Sequence, residues 1–349
     1  MRTRDLLNRT GRWASKLFAG VAAGCLIALS SSHSQASTIF SDGFGSSTVN
    51  QTDTSINVTS TSTSYDPASN KSATATVVGP GDLELAYSSS NGAASYEALF
   101  TQTPVTLSQT GPTTIEADLT FVATSGDVLQ AAGGNYTFLG LFNSNGNVTA
   151  SPSTVPYTGL GSSGLGSGTA DALNGVQGWV GYNAQISAAG ANAINTYLRG
   201  AQSGATQAVN QDLVTGGVNS GYSVQTSLGT TAATYDAVIG DTYTQDLTLT
   251  LNADGSLTTS SSLYLNTGSG SGTAGTLEEG NTKTVLAASS PNLTYDGIGF
   301  GMRGPTQRID YSLLTITDNA PAANLPEPAA LSLLGLSGCG LLRRRARRC

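Results

Sequence analysis

Cysteine and histidine are missing from most of this 349-residue sequence. The cysteines are Cys25, Cys339 and Cys349, and the single histidine is His33, so the stretch 37–325 contains neither residue type. A thiol nucleophile, a Ser-His-Asp triad, a zinc site with Cys or His ligands and a disulfide are therefore excluded from that stretch. A body of ~290 residues without cross-links is large enough to depend on a hydrophobic core.

Charge is also scarce, and positive charge most of all. Charged residues make up 11% of the chain, and ten of the fifteen basic residues lie in the first 16 and last seven positions. Between 37 and 325, five bases face twenty carboxylates, a formal net charge of −15. Such a field repels nucleic acids and anionic membrane surfaces, so a nucleic-acid partner is excluded.

The N-terminus reads as a secretory signal peptide. Five basic residues precede an apolar run from Leu17 to Leu29, and small residues at Ser34 and Ala36 follow. This pattern predicts a signal helix within 1–36 and cleavage after Ala36. The alternative is an uncut membrane anchor, which the shortness of the apolar run disfavours.

The body, 37–318, alternates apolar and polar residues with the period of β-strands. In 246–251 three leucines alternate with Asp and Thr, and Asp254-Gly255 predicts the turn of a hairpin whose second strand continues from 257. Further strands are predicted at 113–122, 136–142, 178–186, 297–302 and 308–317. Many strands separated by turns predict an all-β fold, an antiparallel β-sandwich with long loops.

Three segments interrupt this pattern. Long excursions are predicted at 152–173 and 187–221, the second with a helical candidate at 191–200, and 319–325 is predicted to be a linker.

The segment 326–349 combines three parts in a fixed order. Pro326, Glu327 and Pro328 are followed by an apolar run, 329–342, and by an arginine cluster: Arg343, Arg344, Arg345, Arg347 and Arg348. In the order and spacing of these parts it resembles the PEP-CTERM sorting signal of exported proteins from Gram-negative bacteria. The resemblance implies recognition by an exosortase-type membrane protease and cleavage near the Pro-Glu-Pro motif. It also implies transfer to the cell surface or extracellular matrix, often in cells that produce exopolysaccharide.

The physical properties of this tail fit a transient anchor in the inner membrane. Fourteen helical residues span about 21 Å, less than a ~30 Å hydrocarbon core, so the predicted C-terminal transmembrane helix is short. The arginines would hold the C-terminus on the cytoplasmic side. The alternative is a permanent single-span anchor.

The body has a looser resemblance of its own. The strand segments "YTFLGLFNSNGNV", "GWVGYNAQ", "LTLTLNADGSL" and "YDGIGFGMRG", in this order, resemble concanavalin A-like, LamG-type jelly rolls. That family implies two curved antiparallel sheets and commonly a sugar-binding face. Exposed aromatic side chains near the long excursions are candidate glycan contacts: Trp179, Tyr182, Tyr157 and Tyr197. For Trp179, core packing is the stronger alternative.

Carboxylates are the remaining candidates for chemistry. The strand "IEADLTF" is similar to that of laminarinase-type glycosidases, and Glu116 and Asp118 match its first two carboxylates. Thr120 or Phe121 stands where the third is expected, and no other strand offers a clear replacement, so two solvent-facing acids are the favoured interpretation. Asn143, Asn145 and Asn147 offer oxygen ligands at alternate positions, a weak calcium candidate.

These observations favour a non-enzymatic, exported surface or matrix protein, with exopolysaccharide as its candidate ligand and calcium as the one candidate cofactor. A divergent glycosidase and a purely structural, self-associating matrix protein are the alternatives.

Overall fold

The computed structural model describes fifteen stretches of the body. They are residues 36–44, 48–49, 58–59, 62–69, 73–77, 83–87, 92–126, 136–146, 179–187, 193–200, 225–233, 235, 237–266, 275–304 and 307–319. Residues 1–35 of the predicted leader, the excursion 152–173 and the tail 326–349 lie outside them. Within the described stretches, no helix has the length and apolarity to cross a membrane.

Two largely antiparallel sheets face each other; the parallel pairing among the described strands is that of Thr48–Val49 with residues 64–65. The first sheet has eight strands, with bounds β1 (Ser37–Asp42), β5 (Ala73–Val77), β6 (Leu83–Tyr87), β9 (Thr114–Gly126), β14 (Thr242–Leu251), β15 (Leu257–Leu265), β16 (Thr276–Val285) and β19 (Gln307–Asp318). Their order is β16-β15-β14-β9-β19-β6-β5, and β1 also pairs with β19. Because β9 and β14 lie at the centre, the site described below is carried by strands that have neighbours on both sides.

The second sheet has nine strands. Their bounds are β2 (Thr48–Val49), β3 (Val58–Thr59), β4 (Ser62–Ser69), β7 (Gly92–Leu99), β10 (Tyr136–Asn143), β11 (Val180–Ser187), β12 (Ala193–Arg199), β13 (Gln225–Ala232) and β18 (Gly297–Gly304). The order is β13-β12-β11-β10-β18-β7-β4-β2, with β3 beside β4. The short strands β8 (Val105–Thr106) and β17 (Thr294–Tyr295) pair with each other, and a 3-10 turn spans Ala287–Ser289.

The chain alternates between the sheets as it proceeds. β6 and β7 lie in different sheets, as do β9 and β10, β13 and β14, and β18 and β19. Alternation of this kind is the connectivity of a jelly roll, and the predicted antiparallel β-sandwich is confirmed. The stretches predicted as strands are all present. The two strands of the predicted hairpin are β14 and β15, and the other five are β9, β10, β11, β18 and β19.

The core lies between the two sheets. The inward side of β14 carries the three leucines of the sequence pattern, buried as predicted, while the inward side of β18 carries Ile298, Phe300 and Met302. Aromatic rings fill the middle: Phe300 and Tyr311 meet edge to face with centroids 4.9 Å apart. Burying this apolar surface at roughly 25 cal/mol per Å² is the main stabilising contribution, since the body contains no disulfide.

A glycine of β18 permits the close approach of a bulky ring. A Cβ placed on Gly297 would stand 2.5 Å from Cζ3 of Trp179, so the indole ring rests directly on the backbone. Trp179 is fully buried on the outward side of this sheet, beside Phe142, with ring centroids 6.5 Å apart. Trp179 is therefore buried, as the packing alternative requires, but it lies outside the core between the sheets.

The helical candidate at 191–200 is wrong. Residues Ala193–Arg199 form strand β12 between β11 and β13. Ile194, Thr196 and Leu198 face inward, whereas Asn195 and Tyr197 between them are half-buried, so burial alternates with period 2, which is the period of a strand.

Side-chain hydrogen bonds join the two sheets along one side. Asn281 of β16 donates through Nδ2 to the carbonyl oxygens of Ile194 and Gly229 and to Thr196 Oγ1, each at 3.3 Å. Its Oδ1 accepts from Thr231 Oγ1 at 2.9 Å. Within its own sheet β16 pairs with β15 alone, and these bonds connect this edge strand to the second sheet.

Candidate functional site

The outward side of the first sheet consists mainly of hydroxyl groups. Directly opposite residues in an antiparallel pair share one face, so pairing arranges them in rows. One row is Thr282, Ser260, Thr248, Glu116, Thr317 and Thr38, and the next is Gly280, Ser262, Asp246, Asp118, Thr315 and Ser41. We call these two rows the hydroxyl face.

Three carboxylates lie at the centre of the hydroxyl face. Asp118 of β9 stands directly opposite Asp246 of β14, and Glu116 stands opposite Thr248. One carboxylate oxygen from each of Glu116, Asp118 and Asp246 lies within 4.8 Å of the others. We refer to these three residues as the carboxylate triad. Asp246 is 9% exposed, so these acids are partly withdrawn from water.

Burial raises the pKa of each member of the carboxylate triad. Burial raises the pKa of Glu116, and burial together with the charge of Glu116 raises that of Asp118 to about 7. Burial, followed by the charge of Glu116, raises the pKa of Asp246 to about 7, although the bond from Thr248 Oγ1 (2.9 Å) acts in the opposite direction. Carboxylates with strongly shifted pKa values, clustered at one place, are typical of functional sites.

The basic residues described on this sheet are engaged elsewhere. Arg308 pairs with Glu84 at 2.5 Å and with Asp310 at 3.4 Å. Lys283 donates through Nζ to the carbonyl oxygen of Thr230 in the second sheet. These two side chains therefore do not neutralise the negative charge of the carboxylate triad, and the ionised triad is suited to bind a cation.

An apolar platform adjoins the hydroxyl face. Tyr264 of β15 is half-buried on the same outward side, opposite Thr244, one step along the strands from the pair Ser262–Asp246. Leu277 of β16 pairs with Tyr264 and is 56% exposed. An aromatic ring beside an exposed leucine, next to carboxylates and hydroxyls, provides both kinds of contact that a sugar ring makes.

The sequence interpretation of the β9 carboxylates needs one correction. Glu116 and Asp118 share one face as expected, but the statement that no strand supplies a third carboxylate is wrong. Asp246 supplies it from β14, through the register Asp118–Asp246. Both strands carry an outward acid beside Thr, yet the sequence does not tell which strands are neighbours.

The predicted calcium ligands lie in a turn after β10. The Oδ1 atom of Asn143 accepts a hydrogen bond from the backbone N–H of Asn145 at 2.8 Å, and Asn145 has φ +51°. Ser144 donates from N and Oγ to the Asp296 carboxylate, both at 2.6 Å. Asn147 lies outside the described residues. The geometry is that of an Asx turn, and calcium binding here stays a prediction.

The four predicted glycan contacts are dispersed. Tyr182 is fully buried in the intersheet core, where its hydroxyl accepts a bond from the backbone N–H of Asn292 at 3.0 Å. Trp179 is buried against β18, Tyr197 is half-buried on the outward side of β12, and Tyr157 lies outside the described residues. Their contact with glycans stays a prediction. The sequence reasoning did not select Tyr264.

No protein-family model matches this chain, and no curated protein matches it. Among solved structures, it is similar to lectin II from Ulex europaeus, with 12% identity over 82% of this chain and 98% of that chain and a TM-score of 0.35. Arcelin-5, a lectin-like defense protein from Phaseolus vulgaris, gives 11% identity, coverages of 81% and 98%, and a TM-score of 0.35. The carbohydrate recognition domain of Emp46p in its potassium-bound form gives 12% identity over 72% of this chain and 88% of that chain, with a TM-score of 0.33.

Likeness at this level carries no information about ligand or activity. The fold is therefore assigned from strand order, and the site from its own geometry.

Proposed function

We propose that this chain is an exported, non-enzymatic glycan-binding protein of the cell surface or extracellular matrix, with the hydroxyl face as its binding surface. The observation that carries this proposal is the convergence of the carboxylate triad within rows of hydroxyls beside Tyr264. Carboxylates accept strong hydrogen bonds from sugar hydroxyls, and the tyrosine ring can stack on the C–H face of a pyranose.

Delivery to that location is proposed from the two ends of the chain. The leader 1–36 supports export, and the segment 326–349 supports sorting by an exosortase-type protease after transient anchoring in the inner membrane. Replacing Glu327 and Pro328 with alanine should block processing of the tail and surface delivery, detected by immunoblotting of cell fractions. Unchanged delivery of this variant would reject the sorting proposal.

Calcium is a second occupant to consider for the carboxylate triad. Calcium takes about six to eight oxygen ligands, and three carboxylates on one flat face supply part of that number. The remaining ligands would come from water or from glycan hydroxyls, so a calcium ion here would bridge protein and glycan. Binding should therefore be measured with and without calcium.

The third carboxylate favours one alternative, a divergent laminarinase-type glycosidase. Retaining enzymes hold two carboxyl groups ~5–5.5 Å apart, and the triad oxygens lie within 4.8 Å. A glycosidase also needs a cleft that encloses the sugar, whereas these carboxylates lie on a sheet face among short hydroxyl side chains. We therefore favour binding. Release of reducing ends from β-glucan that disappears in Glu116→Gln would favour the enzyme instead.

The binding test uses the exopolysaccharide of the cell that produces the protein. The full chain in mild detergent should be retained on immobilised polysaccharide, and Tyr264→Ala should be released. The matched control is Tyr197→Ala, which removes a half-buried ring from the other sheet. Loss of retention in the control but not in Tyr264→Ala would move the site to the second sheet. If the wild type is not retained with or without calcium, the glycan proposal fails and the self-associating matrix protein becomes the better explanation.

A further inference from the structure

Two polar side chains lie in the core between the sheets, on the inward side of the strands β14 and β15. Gln245 and Ser261 are both fully buried, and each stands two residues from a leucine of the core, Leu247 and Leu263. The Gln245 amide donates through Nε2 to the carbonyl oxygen of Ala184 in β11, at 3.3 Å. Its Oε1 atom and the Ser261 hydroxyl have no hydrogen-bond partner among the residues that the structure describes. Buried polar groups without a partner are rare in proteins, because each one costs the free energy of leaving water.

The two groups are neighbours on the same side of the first sheet. Gln245 pairs with Leu263, two residues from Ser261 along β15, so Gln245 and Ser261 are diagonal neighbours. Diagonal neighbours lie about 7–8 Å apart at Cα, and the long glutamine side chain shortens the distance between the two polar groups. Asn281 stands directly opposite Ser261 on β16, but its amide bonds to β12 and β13 instead.

Both polar groups end in the same layer of the core. The Gln245 amide reaches β11, and Ser261 lies on β15, which faces β11 with some Cα atoms within 8 Å of one another. Packed sheets are ordinarily about 10 Å apart, so the Ser261 hydroxyl is brought close to the second sheet. Thr137 of β10, the strand that faces β14, is a further buried hydroxyl for which the described residues supply no partner.

We propose that an ordered water molecule lies between the two sheets, bound to Gln245 Oε1 and to the Ser261 hydroxyl. Water fits this pair because it donates to the amide oxygen and can donate to or accept from the hydroxyl. A buried water typically makes about three hydrogen bonds to groups that lack another partner, and Thr137 offers the third. An ion does not fit, because these groups are neutral and would leave its charge uncompensated in the core. This inference is independent of the ligand of the hydroxyl face.

The sign of one substitution separates a hydrated site from two unpaired groups. Ser261→Ala removes the hydroxyl and adds no volume. If the hydroxyl bonds to a water, its loss should raise the equilibrium constant for unfolding about threefold to tenfold, because a hydrogen bond is lost. If the hydroxyl has no partner, its removal should lower that constant, because an unpaired buried group no longer opposes folding. Urea unfolding of the full chain in mild detergent measures the difference.

A double-mutant cycle connects Gln245 to Ser261. Gln245→Met and Ser261→Ala together should raise the unfolding constant by at least about threefold less than the product of their single effects, because either change releases the same water. The matched control is Tyr311→Phe, which removes a hydroxyl that is also buried without a described partner, but on β19, two strands from β14. The effects of Tyr311→Phe and Gln245→Met should multiply.

The water itself can be counted. Magnetic relaxation dispersion of isotopically labelled water should find about one long-lived water fewer in Ser261→Ala and in Gln245→Met than in the wild type, and no difference in Tyr311→Phe. If Gln245→Met does not fold, the comparison with Ser261→Ala decides alone. A stabilising Ser261→Ala, or independent effects in the cycle, would overturn the inference. An unchanged number of long-lived waters would also overturn it, since any cost of Ser261→Ala would then come from packing.

Discussion

Replacing Asp246 with asparagine should stabilise the folded protein at and above neutral pH. Burial and the neighbouring acids raise the pKa of Asp246 from 3.8 to about 7. In the unfolded chain the group ionises near its ordinary value. Between about pH 4 and 7 the folded state therefore holds a proton that the unfolded state has lost, and stability falls as pH rises through that window. Above about pH 7 the whole deficit is present.

The structure limits the size of this effect. Each pKa unit corresponds to about 1.4 kcal/mol, so the full shift sets a ceiling of roughly 4 kcal/mol. The three acids share this shift, and asparagine keeps an oxygen that can accept the bond from Thr248. We therefore expect Asp246→Asn to raise the free energy of unfolding by ~1–2 kcal/mol at pH 8, with a gain of a few degrees in Tm.

Urea unfolding followed by tryptophan fluorescence measures this difference at pH 8 and pH 4. The gain should be present at pH 8 and largely absent at pH 4, where the aspartate is protonated in the folded protein. The matched control is Asp254→Asn, in the turn after β14, because hydrogen bonds from Ser256 lower the pKa of Asp254. The control should not stabilise the protein. A gain that is equal at both pH values, or a loss at pH 8, would refute the electrostatic reasoning.

Three further changes test other parts of the structure. Gly297→Ala should cost about 1–3 kcal/mol of unfolding free energy because its Cβ would overlap the indole of Trp179. The control Gly43→Ala, whose Cβ meets nothing nearer than 4.0 Å, should be close to neutral. Equal urea midpoints for the two variants would contradict this packing. Asn281→Ala should cost about 1–3 kcal/mol in the same assay because it removes the hydrogen bonds that buried groups of β12, in the second sheet, make with this side chain, and an unchanged midpoint would show that these bonds contribute little. Millimolar calcium should raise the Tm of the wild type at pH 8 more than that of Asp118→Asn, and an equal rise in both would place calcium elsewhere.

The carboxylate triad is expected to lower the stability of the free protein. The hydroxyl face places three acids where they repel one another, and replacing one is expected to gain stability. Groups that reduce stability are common at binding sites, because the arrangement that binds a ligand is rarely the arrangement that best stabilises the free protein. This expectation links the stability measurement to the glycan proposal, although each can fail without the other.

The amino-acid sequence by itself determined the strands and the faces they present. Alternation with period 2 placed the leucines of β14 and the apolar residues of β9 toward the core, and Asp254-Gly255 specified the hairpin turn, where Gly255 has φ +81°. These features are local: they depend on backbone geometry and on residues a few positions apart. The absence of cysteine and histidine from 37–325 likewise excludes thiol, histidine-dependent and disulfide chemistry from the sequence alone.

Only the tertiary structure decided which strands became neighbours, and this created the site. Asp118 and Asp246 are far apart in the sequence, and a shift of one residue in their register would turn one of them to the opposite face of the sheet. Pairing between distant strands depends on the whole core, on turn geometry and on bulges such as the one between Tyr311 and Leu313 in β19. For the same reason Tyr264 lies beside the hydroxyl face and Trp179 is buried, since the surroundings of a side chain depend on what packs against its strand.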